Sequence, residues 1–266
     1  MSGKEFDGRV AIVTGASSGI GFELAKQFAD HGYDLVVAAE DAELADAARD
    51  LAARGAQVEP VKVDLGTTEG VEELYRHVIQ VGRPLDAAAL NAGIGSGGSF
   101  DKTPLEQELQ LVDLNVRSTV QLAKYVVRDM TRRGEGRILF TSSIASTMPG
   151  TFSAVYNASK SFVQSFALAL REELDDRGVT VTSLMPGPTE TEFFERAGMT
   201  DTKLGSGEKD DPADVARDGF EALMAGKERG VSASLKTKVQ GRAGRLVPDS
   251  VKAKMHGEQA RPGSGN

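Results

Sequence analysis

The feature that most constrains the fold is a short apolar run that ends in a glycine-rich turn. Residues 10–13 read VAIV, and residues 14–21 read TGASSGIG. Apolar residues then recur at helical spacing, so the pattern predicts a buried strand, a turn and a helix. This arrangement directs free backbone N–H groups and the positive helix end at a phosphate. The turn therefore indicates a dinucleotide site, with a purely structural turn as the alternative.

The three glycines of the turn have different roles in such a site. Gly15 permits the tight turn, Gly19 lets the backbone approach a pyrophosphate, and Gly21 lets the helix pack closely on the strand. Their spacing is G-x-x-x-G-x-G rather than the commoner G-x-G-x-x-G. The cofactor contacts expected from this turn are Gly15, Ser17, Ser18, Gly19, Ile20 and Gly21.

Strand and helix patterns alternate along the chain. Further strands are predicted at residues 34–39, 57–63, 85–90, 137–141 and 180–184, with a weak last one at 231–235. This alternation predicts a single α/β domain with a Rossmann-like, doubly wound parallel sheet in three α/β/α layers. Residues 105–133 have one long helical period. We expect a kink at Asn115 within it, because asparagine is a modest helix former.

Polar and small residues follow the predicted strands, where such sheets bind ligands. Glu40 can accept hydrogen bonds from a ribose 2′-OH and would repel a 2′-phosphate, or Glu40 and Asp41 merely cap the next helix. Asp64 can bond an adenine amino group or cap a loop. The small residues after the fourth strand leave room for a flat ring or a ribose. The further cofactor contacts expected at strand ends are Asp64, Leu65, Asn91, Ala92, Gly93, Pro186 and Gly187.

Composition excludes several kinds of site and partner. The chain has 266 residues and no cysteine, which rules out disulfides, thiol nucleophiles and cysteine-bound metals. Its three histidines are far apart in sequence, so we expect no metal site. The net charge of -8 argues against nucleic-acid and anionic-membrane partners. With no signal-peptide pattern and no run of about 18 apolar residues, we expect a cytoplasmic protein.

Tyr156 and Lys160 stand four residues apart in a predicted helix. Residues at this spacing lie on one helix face, so the ammonium can lie beside the phenol. A free phenol titrates near pH ~10, and a nearby positive charge favours the phenolate. The pair can therefore act as an acid or base near neutral pH.

Together these motifs resemble those of the classical short-chain dehydrogenase/reductase family. Their order and separations match over residues 6–225, including the thirteen positions from Ser143 to Tyr156. The matching elements are Thr14-Gly15-x-x-x-Gly19-x-Gly21, Asn91-Ala92-Gly93, Asn115, Ser143, Tyr156-x-x-x-Lys160 and Pro186-Gly187.

The resemblance implies an enzyme that moves a hydride between NAD(P) and a secondary alcohol or ketone. It implies that Tyr156 is the general acid/base and that Lys160 lowers its pKa and holds the nicotinamide ribose. Ser143 would orient the substrate oxygen, Asn115 would anchor a water of a proton relay, and Thr189 would bond the nicotinamide carboxamide. Members of the family are usually homotetramers, sometimes homodimers, formed through the two long helices.

The cofactor preference rests on three positions of the family pattern. Members that prefer NADP usually carry a basic residue just before Gly19 or just after the second strand, where this chain has Ser18 and Glu40. Members that prefer NAD usually have an aspartate where this chain has Ala39. We favour NAD(H) over NADP(H), because Glu40 can take the place of that aspartate.

The family resemblance fades toward the end of the chain. We expect the dehydrogenase domain at residues 1–235, with a substrate loop at 189–211. Phe193 and Phe194 in this loop favour a partly apolar substrate, unless they are packing residues. Residues 236–266 are predicted to be a helical extension at a subunit interface or over the active-site mouth, or a solvated tail. The stretch from 262 to 266 is expected to be disordered.

Two other functions fit part of the sequence. A dinucleotide-binding regulator without turnover would use the glycine turn, yet it need not keep Ser143, Tyr156, Lys160 and Asn115. A methyltransferase on a similar α/β sheet would give the Tyr156–Lys160 pair no role. We therefore predict an oxidoreductase with a small-molecule alcohol or ketone as its partner.

Overall fold

The computed structural model describes residues 8–231 and 247–265 of the chain. The strands of this part are β1 (Arg9–Thr14), β2 (Tyr33–Ala39), β3 (Val58–Lys62), β4 (Leu85–Leu90), β5 (Gly136–Thr141), β6 (Val179–Met185) and β7 (Arg229–Val231). The α-helices are α1 (Gly19–Asp30), α2 (Leu44–Ala53), α3 (Thr68–Gln80), α4 (Leu105–Val112), α5 (Thr119–Arg133), α6 (Ala154–Leu174), α7 (Phe193–Arg196), α8 (Lys203–Ser206), α9 (Pro212–Met224) and α10 (Asp249–Ala260).

The seven strands form one parallel sheet in the order β3-β2-β1-β4-β5-β6-β7. Successive side chains of a strand point to opposite faces of the sheet. Accordingly, Ile12 of β1 packs in a core with α3, α5 and α6, whereas Ala11 and Val13 pack in a second core with α1, α2 and α9. The predicted Rossmann-like sheet between two helical layers is confirmed.

The strand order reverses between β1 and β4, which are neighbours in the sheet. At such a switch point the chain connections leave in opposite directions and open a crevice beside the carboxyl ends of the strands. The glycine-rich turn follows β1, and Asn91 follows β4. The fold therefore brings both motifs to this crevice.

The long helical period at residues 105–133 is interrupted where the kink is predicted. α4 ends at Val112, a π-helical turn covers Asp113–Ser118, and α5 begins at Thr119. Asn115 lies in this turn and is only 1% exposed. Such turns occur frequently at functional sites.

The end of the chain contains the helix α10, one of the alternatives that the sequence left open. β7 ends at Val231, and residues 232–235 of the predicted last strand lie outside the described residues. The last described residues do not form a solvated tail, because the backbone N–H of Gly263 donates to Asp201 Oδ2 at 2.7 Å, and that of Gly265 donates to the Asp201 carbonyl at 2.8 Å.

In the two described ranges, no helix is long and apolar enough to cross a membrane. The cytoplasmic location stays a prediction, as does the domain boundary at residue 235.

Candidate active site

The glycine-rich turn after β1 leaves no room for side chains. Gly15 and Gly19 have φ angles of 65° and 56°, a region that residues with a Cβ adopt rarely. A Cβ on Gly21 would lie 1.9 Å from the Gly15 carbonyl oxygen and 2.5 Å from Asn91 Nδ2. Ser18, the N-cap of α1, makes no side-chain hydrogen bond to the helix. The first turn of α1 therefore offers N–H groups to an anion.

Thr14 joins the ends of the two strands at the switch point. Its Oγ1 accepts hydrogen bonds from the backbone N–H groups of Asn91 at 2.9 Å and Ala92 at 3.0 Å. Asn91 Nδ2 donates to the Thr14 carbonyl at 3.1 Å, and Asn91 Oδ1 accepts from Thr141 Oγ1 of β5 at 3.0 Å. This network ties three strand ends into one edge and fixes the floor of the crevice. Sequence reasoning missed this role of Thr14, for which its place directly before Gly15 was the only signal.

Asn115 lies behind the wall of the crevice. Its Oδ1 accepts from the backbone N–H of Ile94 at 2.9 Å, and its Nδ2 donates to the Ile94 carbonyl at 2.9 Å. Nδ2 also donates to Ser159 Oγ of α6 at 3.1 Å. A Cβ on Gly93 would lie 3.0 Å from Asn115 Oδ1 and 3.2 Å from Lys160 Nζ. Asn115 thus holds the segment after β4 against the helix that carries Lys160.

Ser143, Tyr156 and Lys160 meet at the start of α6. Ser143 Oγ donates to the Pro186 carbonyl at 3.4 Å and accepts from the backbone N–H of Ala145 at 3.1 Å, and the Tyr156 hydroxyl lies near this side chain. Lys160 Nζ donates to the Thr141 carbonyl at 3.0 Å and lies 5.9 Å from the centre of the Tyr156 ring. Tyr156 and Lys160 lie on one helix, as predicted, and the side chains of Ser143, Tyr156 and Lys160 lie close together.

Burial changes the pKa values of both members of the pair. It raises the pKa of Tyr156 to about 12, against a smaller lowering by the hydrogen bond with Ser143. It lowers the pKa of Lys160 to about 8. Both directions follow because removal from water disfavours the charged form of each group. The pKa of Tyr156 is therefore raised rather than lowered as the resemblance implies, and at pH 7 the phenol holds its proton.

Two acidic residues follow β2 and line the crevice. Glu40 is exposed and Asp41 is half-buried. Asp41 Oδ2 accepts from Ser17 Oγ at 2.7 Å, whereas Asp41 Oδ1 is buried without a hydrogen-bond partner in the described part of the chain. Because buried polar atoms are usually paired, Oδ1 is an acceptor suited to a bound molecule. Sequence reasoning singled out Glu40 and missed Asp41, whose only signal was its position beside it.

One cavity of about 910 Å³ connects these elements. This volume is within the range of ligand sites in proteins. The predicted residues on its wall are Gly15, Ser17, Ser18, Gly19, Ile20, Gly21, Glu40, Asp64, Leu65, Asn91, Ala92, Gly93, Ser143, Tyr156, Lys160, Pro186, Gly187 and Thr189. Asn115 is not on the wall and lies behind Gly93. Among the described residues, no group of three or more side chains could hold a metal ion.

Apolar side chains line the part of the cavity that lies beyond Ser143, Tyr156 and Lys160. The ring of Phe193 lies 5.2 Å from the ring of Tyr156. Phe193 also packs against a small apolar core that contains Phe194, Met199 and Ala260 of α10. Phe193, Phe194 and Met199 line the cavity as well. The sequence left open whether the two phenylalanines are packing residues or face a substrate. In the structure they pack together and also face the cavity.

The segment that carries these phenylalanines is closed at its base. The backbone N–H of Glu190 donates to the Asp210 carbonyl at 2.9 Å, and that of Asp210 donates to the Pro188 carbonyl at 2.8 Å. α7 and α8 lie between these bonds. The segment is thus a folded flap whose two ends meet beside Pro186-Gly187.

Comparison with known proteins agrees with this geometry. The family model described as short chain dehydrogenase matches residues 9–201. A probable oxidoreductase of Mycobacterium tuberculosis, EphD, is 34% identical over 196 residues, which are 73% of this chain and 33% of that protein. The chain thus spans about a third of the length of this relative.

Solved structures show the same architecture. A short-chain dehydrogenase from Sphingobium yanoikuyae in complex with NADPH has a TM-score of 0.78 at 27% identity, covering 84% of this chain and 87% of that one. A 3-ketoacyl-(acyl-carrier-protein) reductase from Brucella melitensis complexed with NADH has a TM-score of 0.75 at 26% identity, covering 86% and 96%. With the family match over residues 9–201, the chain belongs to the short-chain dehydrogenase/reductase family.

Proposed function

We propose that this protein is an NAD(P)-dependent oxidoreductase that acts on a secondary alcohol or the corresponding ketone. The observation that carries the proposal is one cavity with two different ends. One end is the glycine-rich turn at the start of α1, and the other holds the Tyr156 phenol with Ser143 and Lys160. A dinucleotide can bring a hydride, and a protonated phenol can bring the proton that carbonyl reduction also requires.

The residues at the switch point fit a dinucleotide. A Cβ on Gly21 would fill the turn, and one on Gly19 would lie 3.0 Å from Thr191 Cγ2 of the flap. We propose that the first turn of α1 holds the pyrophosphate, that Asp64 and Leu65 contact the adenine, and that Thr189 holds the carboxamide. The segment Asn91-Ala92-Gly93, Pro186 and Gly187 would line the nicotinamide half.

The proton transfer is proposed to run through Tyr156. A bound nicotinamide supplies a hydride in reduction and accepts one in oxidation. During reduction Tyr156 gives its proton to the carbonyl oxygen, the C=O bond becomes C–O–H, and the remaining phenolate lies beside the Lys160 ammonium. Ser143 donates a hydrogen bond to the same oxygen and fixes its position. Oxidation requires the Tyr156 phenolate, formed after the phenol has released its proton, and this phenolate takes the proton from the alcohol.

Asn115 is proposed to support the return of protons to Tyr156. Its amide fixes Ile94 and Ser159 and so holds Gly93 next to Lys160 Nζ. A water between the Asn115 carbonyl and Lys160 would complete a path from solvent. Asn115 would then act at a distance from the substrate, in keeping with its place behind the cavity wall.

We propose that NAD(H) is preferred over NADP(H). Glu40 and Asp41 set two carboxylates beside the adenosine end of the cavity. Carboxylates accept hydrogen bonds from ribose hydroxyls and repel a 2′-phosphate. Asp41 is the better acceptor, because Ser17 fixes its side chain and leaves Oδ1 for the ligand.

A homotetramer or homodimer is proposed on the apolar surface of α4 and α6. Leu105, Leu109 and Val112 of α4 are 63%, 53% and 38% exposed, and they lie on one helix face. Phe162 of α6, which packs against α4, is 39% exposed. Leu109→Glu is expected to reduce the mass measured by light scattering, and an unchanged mass would exclude this surface.

A screen of ketones and alcohols with both cofactors tests the proposed function. Purified protein is incubated with NADH or NADPH and each ketone, or with NAD⁺ or NADP⁺ and each alcohol. Absorbance at about 340 nm reports the reduced cofactor, and chromatography identifies the product. We expect turnover of at least one secondary alcohol–ketone pair, with the higher kcat/KM for NAD(H). Cofactor binding without any turnover would instead favour the regulator.

A further inference from the structure

One face of α10 lies along the cavity. Lys252, Met255, His256 and Gln259 line it, and their spacing of three and four residues places them on one side of the helix. Val251 of the same helix is exposed but does not line the cavity. The extension that follows the family match thus reaches the active-site cavity with a defined set of side chains.

The helix is anchored on the loop that precedes α6. His256 is 9% exposed, and its Nδ1 lies 2.9 Å from the Thr151 carbonyl. A carbonyl only accepts, so Nδ1 carries a proton in this bond. Thr151 Oγ1 donates to the Ala253 carbonyl at 2.8 Å, and a Cβ on Gly257 would lie 3.0 Å from Thr151 Cγ2. α10 therefore rests directly on a segment five residues before Tyr156.

The loop beneath the helix has an unusual backbone. Phe152 has a φ of 66°, and no other described residue except glycine has a positive φ. Such a conformation is uncommon for an aromatic residue and persists where its surroundings hold it. The guanidinium of Arg261 lies 5.7 Å from the Phe152 ring, which also packs on the core of Met199 and Ala260. The C-terminal segment and this loop thus form one packed unit.

Met255 is the exposed apolar member of the cavity-lining face. Its side chain is 55% exposed, although it belongs to the wall of an apolar cavity. Met255 and Phe193 line the same cavity, and Phe193 lies 5.2 Å from Tyr156 and packs on the core that contains Ala260 of α10. An apolar ligand that extends from Phe193 to Met255 would cover Met255 and gain from its burial.

We propose that α10 is the outer wall of the substrate site and that Met255 binds the far end of an elongated apolar alcohol or ketone. This inference rests on the proposed function and adds the substrate class. Binding energy from this remote contact would favour long substrates over short ones with the same reacting group. His256 would be a positioning residue that sets α10 in place through Thr151.

A matched pair of variants tests the inference. Met255→Asp and Val251→Asp each put a carboxylate at an exposed position of α10, and only the first position faces the cavity. Reduction of 2-butanone and of 2-octanone is measured for both variants and the wild type. We expect Met255→Asp to lower kcat/KM for 2-octanone about tenfold and to leave that for 2-butanone within about twofold. Val251→Asp should leave both values within about twofold.

Three results would overturn the inference. Equal effects of Met255→Asp on both ketones would show no contact with the distal part of the substrate. Equal effects of the two variants would show a general disturbance of α10. A changed mass in solution with unchanged chain-length preference would make Met255 a subunit contact.

The failure of the proposed function would look different. If the wild type reduces no ketone in the broader screen, the dehydrogenase activity is excluded, whatever Met255 does. Binding of 2-octanone to the wild type and the two variants, measured by calorimetry, then tests separately whether α10 forms the outer wall of the substrate site. Binding that is lost only in Met255→Asp supports it, and binding that is absent or equal in all three overturns it.

Discussion

The two ends of the cavity are built by different means. At the end with the glycine-rich turn, which we propose for the cofactor and call the cofactor end, the wall is mostly backbone and small residues at the ends of β1, β4 and β5, tied together by Thr14 and Asn91. At the substrate end the wall is made of large side chains from segments far apart in sequence, such as Phe193, Met199 and Met255. The first end is fixed by the sheet, and the second by packing between loops and the C-terminal helix.

This difference predicts how each end responds to change. An added atom at the cofactor end meets backbone that the sheet holds in place, as the 1.9 Å contact at Gly21 shows. A changed side chain at the substrate end meets other side chains or solvent, which can adjust. Substitutions that add atoms should therefore abolish binding at the first end, whereas changed side chains at the second end should alter selectivity.

The largest effect on cofactor binding is expected from Gly21→Ala. The new methyl group cannot fit against the Gly15 carbonyl, so α1 must move away from the turn that we assign to the pyrophosphate. We expect cofactor affinity, measured by calorimetry, to fall about 100-fold or more. Gly32→Ala is the control after the same helix. Its φ of 76° makes alanine cost about 1 kcal/mol of stability without touching the cavity. Equal cofactor binding by wild type and Gly21→Ala would show that the sheet does not hold the glycine-rich turn rigidly in place.

The second effect concerns Lys160, at the border of the two ends. Its pKa is about 8 in the folded protein and near its ordinary value of 10.5 when unfolded. The cost of burying the ammonium is therefore complete below pH 8 and disappears as pH rises toward 10.5.

Urea unfolding of wild type and Lys160→Met at several pH values measures this cost. The stability of the wild type relative to the variant should rise between pH 7 and pH 10, by an amount on the order of 2 kcal/mol. A difference that stays constant with pH would mean that the lysine is not desolvated. Turnover by the variant should fall in parallel about 100-fold.

Asp41→Asn should have an intermediate effect, confined to the cofactor end. The amide keeps the shape of the side chain and removes the charge that would repel a 2′-phosphate. We expect kcat/KM with NADPH to rise about tenfold, and kcat/KM with NADH to change by less than about threefold. Glu40→Gln is the matched control beside it, with a smaller expected change because Glu40 is exposed and not held by Ser17. A larger effect of Glu40→Gln would show that Glu40, as expected from the sequence, is the residue that determines the preference for NAD(H).

The smallest effect is expected from His256→Ala at the substrate end. Loss of the bond to Thr151 should loosen α10 and raise KM for 2-octanone about threefold, with kcat nearly unchanged. Lys254→Ala, on an exposed side of the same helix, should change neither constant. A fall in kcat with both ketones would place His256 in the reaction itself rather than in the positioning of the helix.

The cofactor end could be largely predicted from sequence. Its glycines, Asn91 and the Tyr156–Lys160 pair occur at fixed distances from strands, because a parallel sheet brings all strand ends to one edge. The interruption at Asn115 was also foreseen, although its form as a π-helical turn was not. Asp41 was missed because adjacent acidic residues cannot be ranked without knowing which one Ser17 holds.

The substrate end could not be predicted in the same way. The contacts of Thr151 with His256 and of Phe152 with Arg261 join positions more than a hundred residues apart, and no motif marks them. The pKa of Tyr156 was expected to fall because the sequence places a lysine beside it. The burial that raises the pKa depends on how loops and flap pack over the phenol.

We propose that Tyr156 exchanges the proton while the rest of the cavity holds cofactor and substrate. Ketone reduction and cofactor affinity of Tyr156→Phe test it most directly, with Tyr125→Phe, whose hydroxyl lies outside the cavity, as the control. We expect kcat to fall about 10²–10⁴-fold in Tyr156→Phe. The Kd for the cofactor should stay within about threefold, and Tyr125→Phe should behave as wild type. Unchanged turnover by Tyr156→Phe, with intact cofactor binding, would show that another group exchanges the proton.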